Sequence, residues 1–161
     1  MTLEELYGRY GENLYRYLVF RLGSPEDAED VLQETFCRFA RYTVRWKLVR
    51  NPQAFVFRVA RNEVNRFLQR KLSRPAGDAG PLEQTSRFSA ALATPTEPST
   101  LLIVELADRL PEEQKEVIFM KVFDGLTFKE IGSACGISAN TAASRYRYAL
   151  DKLRASLEET R

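Results

Sequence analysis

Thr127-Phe128-Lys129-Glu130-Ile131-Gly132-Ser133-Ala134-Cys135-Gly136-Ile137-Ser138-Ala139-Asn140-Thr141 opens a segment, residues 127–157, that reads as two short helices joined by a glycine turn. Thr127 and Glu130 have capping-box spacing: the hydroxyl accepts from the Glu130 amide while the carboxylate reaches back to the Thr127 amide. The helix that starts there must stop at Cys135-Gly136, because glycine enters the left-handed conformation without steric cost. Ile137 then drops between the helices, and Ser138 caps a second one over about 139–158. That helix puts Ala142, Tyr146, Ala149, Leu153 and Leu157 on one stripe, with Asn140, Ala143, Ser144, Arg147 and Asp151 turned away. This is a helix-turn-helix pattern, whose second helix enters the DNA major groove by its N-terminal residues. The same spacing suits a helical hairpin inside some other all-α core, so the rest of the chain has to decide.

The chain's 161 residues, 44% hydrophobic, suffice for one modest core or two small ones. A net charge of +2 means that affinity for nucleic acid must come from uneven charge. The absence of histidine excludes a Cys/His zinc site and histidine acid–base chemistry, and no glycine-rich phosphate loop is present. No enzyme activity, cofactor, metal or small-molecule substrate is expected. Cys37 and Cys135 fall on apolar sides of predicted helices, as small core residues in a reducing cytosol. No apolar run approaches the ~18 residues that span a bilayer and no signal peptide leads the chain, so no membrane insertion and a cytoplasmic location are expected.

Residues 3–22 carry Leu3, Leu6, Tyr7, Tyr10, Leu14, Tyr17, Leu18 and Arg21-Leu22 at helical spacing, ending at Gly23. Ser24-Pro25 restarts a helix that runs to about residue 42, burying Ala28, Val31, Leu32, Thr35, Phe36 and Phe39. Its other face is acidic: residues 24–36 hold five acids and no base. Acids near a helix start can simply be solvated, but such a face also suits a basic partner surface. The charge then reverses, with eight bases against Glu63 alone over residues 44–71. Asn51-Pro52 starts a third helix with Val56, Ala60, Val64, Phe67 and Lys71 on one face. Arg58, Arg61, Asn62, Asn65, Arg66 and Gln69 turn toward solvent, with Phe55 and Phe57 at the helix start and Trp46 in the preceding loop. Bases that neutralise phosphates, amides that read base edges and aromatics that stack on unpaired bases fit the holding of an opened DNA strand. The alternative for Trp46, Phe55 and Phe57 is ordinary core packing.

Residues 72–99, with Pro75, Gly77, Gly80, Pro81, Pro95 and Pro98, show no helical stripe and read as a flexible linker. Ser99 caps a further helix with Leu102, Ile103, Leu106 and Leu110. Pro111-Glu112-Glu113 begins another with Val117, Ile118, Met120 and Val122, closed by Asp124-Gly125. The expected fold is all-α: two small helical domains, 1–71 and 100–161, joined by the linker 72–99, the second a four-helix domain carrying the helix-turn-helix.

This arrangement resembles the bacterial RNA polymerase sigma factors of the sigma-70 family, group IV, the extracytoplasmic-function (ECF) type. In the first domain the likeness rests on Pro25-Glu26-Asp27-Ala28-Glu29-Asp30-Val31-Leu32-Gln33-Glu34-Thr35-Phe36 and on Phe57-Arg58-Val59-Ala60-Arg61-Asn62. In the second it rests on Leu110-Pro111-Glu112-Glu113-Gln114-Lys115-Glu116-Val117 and Gly125-Leu126-Thr127-Phe128-Lys129-Glu130-Ile131. The resemblance implies a sigma region 2-like bundle that binds core RNA polymerase, through the β′ clamp helices, and a region 4-like domain; the β subunit and promoter DNA are further implied partners. It implies polymerase binding by Asp27, Asp30, Gln33 and Glu34. Contact with a −10 element would fall to Trp46, Arg58, Arg61, Asn62, Asn65 and Arg66, with a flipped base held in the loop 43–51. Contact with a −35 element would fall to Ser138, Asn140, Thr141, Ala143, Ser144, Arg145, Arg147 and Tyr148. The linker would let both domains wrap one anti-sigma factor.

The chain departs from the family pattern at Asn65 and Arg66, at Ala142 and Ala143, and at Tyr148 and Leu150. Residues 100–161 carry nine bases and ten acids, so a −35 grip would rest on polar groups and the helix N-terminus, not on a lysine-rich face. Two rivals remain at this point. A stand-alone helix-turn-helix regulator predicts duplex binding without polymerase, and a helical scaffold predicts no DNA binding at all.

Overall fold

The structure, a computed structural model, describes residues 2–42, 46–73 and 98–159. Residues 43–45 of the expected base-capturing loop and 74–97 of the expected linker lie outside the described residues. Those described form seven α-helices: α1 (Leu3–Leu22), α2 (Pro25–Arg41), α3 (Pro52–Leu72), α4 (Pro98–Asp108), α5 (Glu112–Ile118), α6 (Phe128–Cys135) and α7 (Ala139–Glu159). A 3₁₀ turn, Trp46–Leu48, precedes α3, and a π-helical turn, Phe119–Phe123, extends α5.

Most helix boundaries follow from local chemistry. The Ser24 hydroxyl accepts from the Asp27 amide at 3.3 Å and the Asn51 side chain from the Ala54 amide at 3.1 Å, each ahead of a proline whose missing N–H costs nothing there. Thr127 and Glu130 close the capping box at 3.1 and 3.0 Å. Gly136, at φ 71°, ends α6 in the left-handed region. Thr2 and Glu5 form a further capping box that the sequence reading did not identify. Ser99 is not the cap expected of it: α4 already begins at Pro98, which leaves Ser99 inside the first turn.

α1, α2 and α3 pack mutually, while α4, α5 and α6 gather on α7. The two units also pack on each other, through α3 against α6 and through an aromatic seam. Phe20 stacks on Phe119 with centroids 4.4 Å apart and planes within 5°, and Tyr17, itself edge-on to Phe57 of its own unit, meets Phe119 at 6.3 Å. Core residues therefore run continuously from Leu6 and Leu14 through Phe57 to Met120 and Ile131.

Five residues read as core or on apolar faces lie outside. Leu3 and Tyr7, 37% and 59% exposed, line an open groove between α1 and α2. Cys37 is exposed because it falls off the Ala28–Val31–Thr35–Phe39 stripe that faces α1. Val122 is exposed, on the outer side of the π-helical turn. Lys71 is also exposed, and its ammonium reaches the Asp27 carboxylate at 3.6 Å.

Candidate functional site

Three surfaces carry the polar residues singled out by sequence. The first is the outer face of α2. Asp30, Gln33 and Glu34 are exposed, and Asp27 is half-buried with Lys71 as partner. Such an exposed ion pair contributes little. Gln33 also lines the α1–α2 groove, whose floor is Leu3, Tyr7, Leu32 and Phe36 and whose rim carries Glu4, Glu12 and Glu29. An apolar cleft edged by carboxylates suits a basic, amphipathic helix of a partner.

The second surface is α3, and here the sequence reading needs correction. Arg58 and Asn62, one helical turn apart, are exposed, as is Gln69 further along. Arg66 is exposed too, but its Nη1 donates at 2.8 Å to Glu63, a carboxylate with only 2% of its side chain exposed that Arg38 of α2 also neutralises. Trp46 is buried, so it is not a free stacking platform. Its Nε1 donates to the Phe39 carbonyl at 3.2 Å, and its ring stands edge-on to Phe39 and Phe55 at 5.6 and 5.2 Å. It pins the start of the loop to the end of α2. Phe57 is likewise fully buried, and Phe55 is half-buried against Tyr42 and Trp46.

Arg61 and Asn65 are not solvent-facing either. Arg61 Nε donates at 2.7 Å to Oε1 of Glu116 on α5, and Arg21 Nη2 of α1 donates at 2.8 Å to Asn65 Oδ1. The same Glu116 oxygen accepts from Tyr17 at 2.8 Å and lies 3.4 Å from Arg21 Nη1 and 3.7 Å from Cys135 Sγ. Arg21 Nη1 also donates to the Tyr17 hydroxyl at 2.8 Å. Burial alone would push the Glu116 pKa up, but the charge of Arg21 and the hydrogen bond from Arg61 outweigh it and hold the carboxyl below its usual range. Burial pushes Tyr17 well above its ordinary value, with Glu116 adding to the effect, and by the same two causes pushes the Cys135 thiol to about 12. Tyr17 and Cys135 are thus neutral, and one carboxylate serves two guanidiniums.

The sequence reading missed this cluster. The available signal was Glu116 itself, a charge in a segment buried on all sides from Lys115 to Met120. A helix buried all round needs a partner for any charge it carries.

The third surface is the N-terminal half of α7. Ser138 caps it, accepting from the Thr141 amide at 3.0 Å. Asn140, Thr141 and Arg147 are exposed, and Tyr148 is 61% exposed. Ala143 and Ser144 are half-buried, with Ser144 Oγ accepting from Arg147 at 3.2 Å, and Arg145 lies 3.6 Å from Glu113. Ala142 is fully buried against the turn, as a steep helix crossing requires.

The family profile described as Sigma-70 region 2 matches residues 6–74, and that described as Sigma-70, region 4 matches residues 100–153. The ECF RNA polymerase sigma factor SigL of Mycobacterium tuberculosis is 30% identical over 162 residues, covering 98% of this chain and 89% of SigL. The RNA polymerase sigma factor SigZ of Bacillus subtilis is 26% identical, covering 98% of this chain and 88% of SigZ. Among solved structures, the sigma factor RpoE in complex with the anti-sigma factor NepR, from Bartonella quintana, matches with a TM-score of 0.68 at 17% identity, over 98% of this chain and 97% of that one. CnrH in complex with the cytosolic domain of CnrY matches with a TM-score of 0.67 at 20% identity, over 98% and 88%. These two likenesses bear on the fold.

Proposed function

The chain belongs to the sigma-70 family of RNA polymerase sigma factors, in its extracytoplasmic-function group, and on that premise we propose how its own residues divide the work of promoter-specific transcription initiation. Residues 1–71 form the polymerase-binding and −10 unit, 72–99 the linker and 100–161 the −35 unit. Asp30, Gln33 and Glu34, with Asp27 beside them, dock on the β′ clamp helices of core RNA polymerase. Arg58 and Asn62 are the first contacts to −10 DNA, joined by the exposed Arg66, by Arg61 once Glu116 lets go, and by Asn65 while its Oδ1 still accepts from Arg21. Asn140, Thr141, Arg147 and Tyr148 meet the −35 element. The protein changes no covalent bond, needs no cofactor and works in the cytoplasm. An anti-sigma protein is a further expected partner, one that would cover the acidic face of α2.

The observation that carries this reading is the charge layout: an exposed acidic face on α2 and an exposed Arg58–Asn62 strip on α3, with the helix-turn-helix on a separate unit. Two modest DNA-binding surfaces held at fixed spacing by polymerase select a promoter that neither could select alone. In promoter-directed run-off transcription with core polymerase, Arg58→Ala and Arg147→Ala should each lower output about tenfold, and the pair should abolish it. A chain that shifts duplex DNA unaided and gives no polymerase-dependent transcript would contradict the proposal and favour a stand-alone regulator.

A further inference from the structure

Arg21 and Arg61 stand on different helices of the first unit, and both reach the same oxygen of Glu116. That carboxylate comes from the second unit. Parting the units thus leaves two guanidiniums converging on a vacated anion position. Arg21 is oriented by Tyr17 and Asn65, both of the first unit, so the position is built into that unit and is not an accident of surface side chains. It also adjoins Arg58 and Asn62 along α3.

We propose that Glu116 is a resident stand-in for a DNA phosphate: Arg21 and Arg61 form an anion site that the Glu116 carboxylate fills while the units are packed, and that a backbone phosphate of the −10 strand fills when they part. Arg21 is thereby a DNA-binding residue, and packing and strand binding exclude each other. The inference rests on the reading of α3 as the −10 helix. A carboxylate suits the stand-in role because it matches a guanidinium as a phosphate does. A buried ion pair is also easier to release than an apolar plug of the same size, since its charges regain water on opening while the aromatic seam supplies the attraction. Cys135, 3.7 Å from the carboxylate and half-buried, reports the state of the site: its thiol is shielded and held neutral when the units are packed, whereas Cys37 is exposed throughout.

The test uses the whole 161-residue chain and a labelled single-stranded oligonucleotide carrying no protein partner. Alkylation of Cys135 should be at least about tenfold slower than that of Cys37, and the oligonucleotide should accelerate it. Glu116→Gln should accelerate it without DNA and leave the oligonucleotide no further acceleration to give, which marks parted units and not just the lost charge beside the thiol, and it should tighten oligonucleotide binding about tenfold. Adding Arg21→Met to Glu116→Gln should reverse that gain and lower the dependence of log Kd on log salt by about one phosphate contact. Retained helical content by circular dichroism certifies each variant. If Glu116→Gln unfolds, Tyr17→Phe, which removes one donor to the carboxylate, should give a smaller acceleration. Unchanged Cys135 rates in the folded variants, or a Glu116→Gln/Arg21→Met chain that binds with an unaltered salt dependence, overturns the proposal. Failure of transcription with core polymerase while these binding effects hold would count against the polymerase reading and leave the anion site standing.

Discussion

Replacing Gly132 with alanine is expected to lower the melting temperature by roughly 10 °C, a loss of about 3 kcal/mol or more, and to disable the helix-turn-helix. A β-carbon on Gly132 would lie 2.6 Å from the Ile137 carbonyl oxygen and 3.2 Å from the Ala139 nitrogen. Both are backbone atoms of the turn, so no side-chain rotation relieves the clash. The turn cannot easily retreat, because the Gly132 carbonyl accepts from the Gly136 amide and from the Ile137 amide at 3.0 Å. The usual helix-propensity gain of alanine over glycine, about 1 kcal/mol, is smaller than the strain. Gly8→Ala supplies the contrast, since nothing lies within 4 Å of a β-carbon there. That change, in the middle of α1, should stabilise by up to about 1 kcal/mol. Thermal melts of the two variants side by side should move in opposite directions; a Gly132→Ala melt at or above the parent's would refute the close approach.

The second large effect is a dependence of stability on pH centred on Asp124. Both of its carboxylate oxygens are buried with no hydrogen-bond partner, while its carbonyl accepts from Gln53 of α3 at 3.3 Å. Burial pushes its pKa from 3.8 to about 7, with Arg16 offsetting part of the rise. The unfolded chain releases this proton near pH 4 and the folded chain only near pH 7, so between those values unfolding releases a proton and stability falls as pH rises. The penalty is absent below about pH 4 and complete above about pH 7, with an upper bound of roughly 4 kcal/mol. Asp124→Asn keeps the shape and removes the charge. Measured from pH 5 to pH 8, the variant's stability relative to the parent should climb by a few kcal/mol. A difference that stays flat over that range would mean that Asp124 is solvated or paired in the folded chain.

Gly132 falls inside the helix-turn-helix pattern, where a steep helix crossing calls for a small residue, whereas the burial of the Asp124 carboxylate lies where local patterns run out. Thr127, Glu130, Gly136, Ser24 and Asn51 were legible because a cap or a left-handed turn depends on residues within one helical turn. The acidic face of α2 was legible for a similar reason: α2 buries one stripe and leaves the other to solvent. α3 violates that assumption. It packs on α1 and α2 with one side and on α6 with another, so the broad polar face expected from periodicity shrinks to the strip of Arg58, Asn62, Arg66 and Gln69. Arg61 and Asn65 turn to α5 and α1 instead, and Trp46 and Phe57 go into the core. Nothing within a helical turn of Tyr17 announces a hydroxyl bond to a residue 99 positions away. The packing of the units could be read only from the structure, because the apolar seam that drives it draws on the same aromatics that fill each unit's own core.

Everything proposed for promoter-specific initiation depends on the exposed acidic face of α2 acting as a polymerase-docking surface. The most direct measurement is the affinity of the full chain for bacterial core RNA polymerase at moderate salt, run beside Asp30→Lys/Glu34→Lys. Neither carboxylate is buried, so the double variant should fold and melt like the parent. The parent should bind tightly and the variant at least about a hundredfold more weakly, mostly from like-charge repulsion at the docked surface. Equal binding by both proteins, or binding by neither, would contradict that docking role.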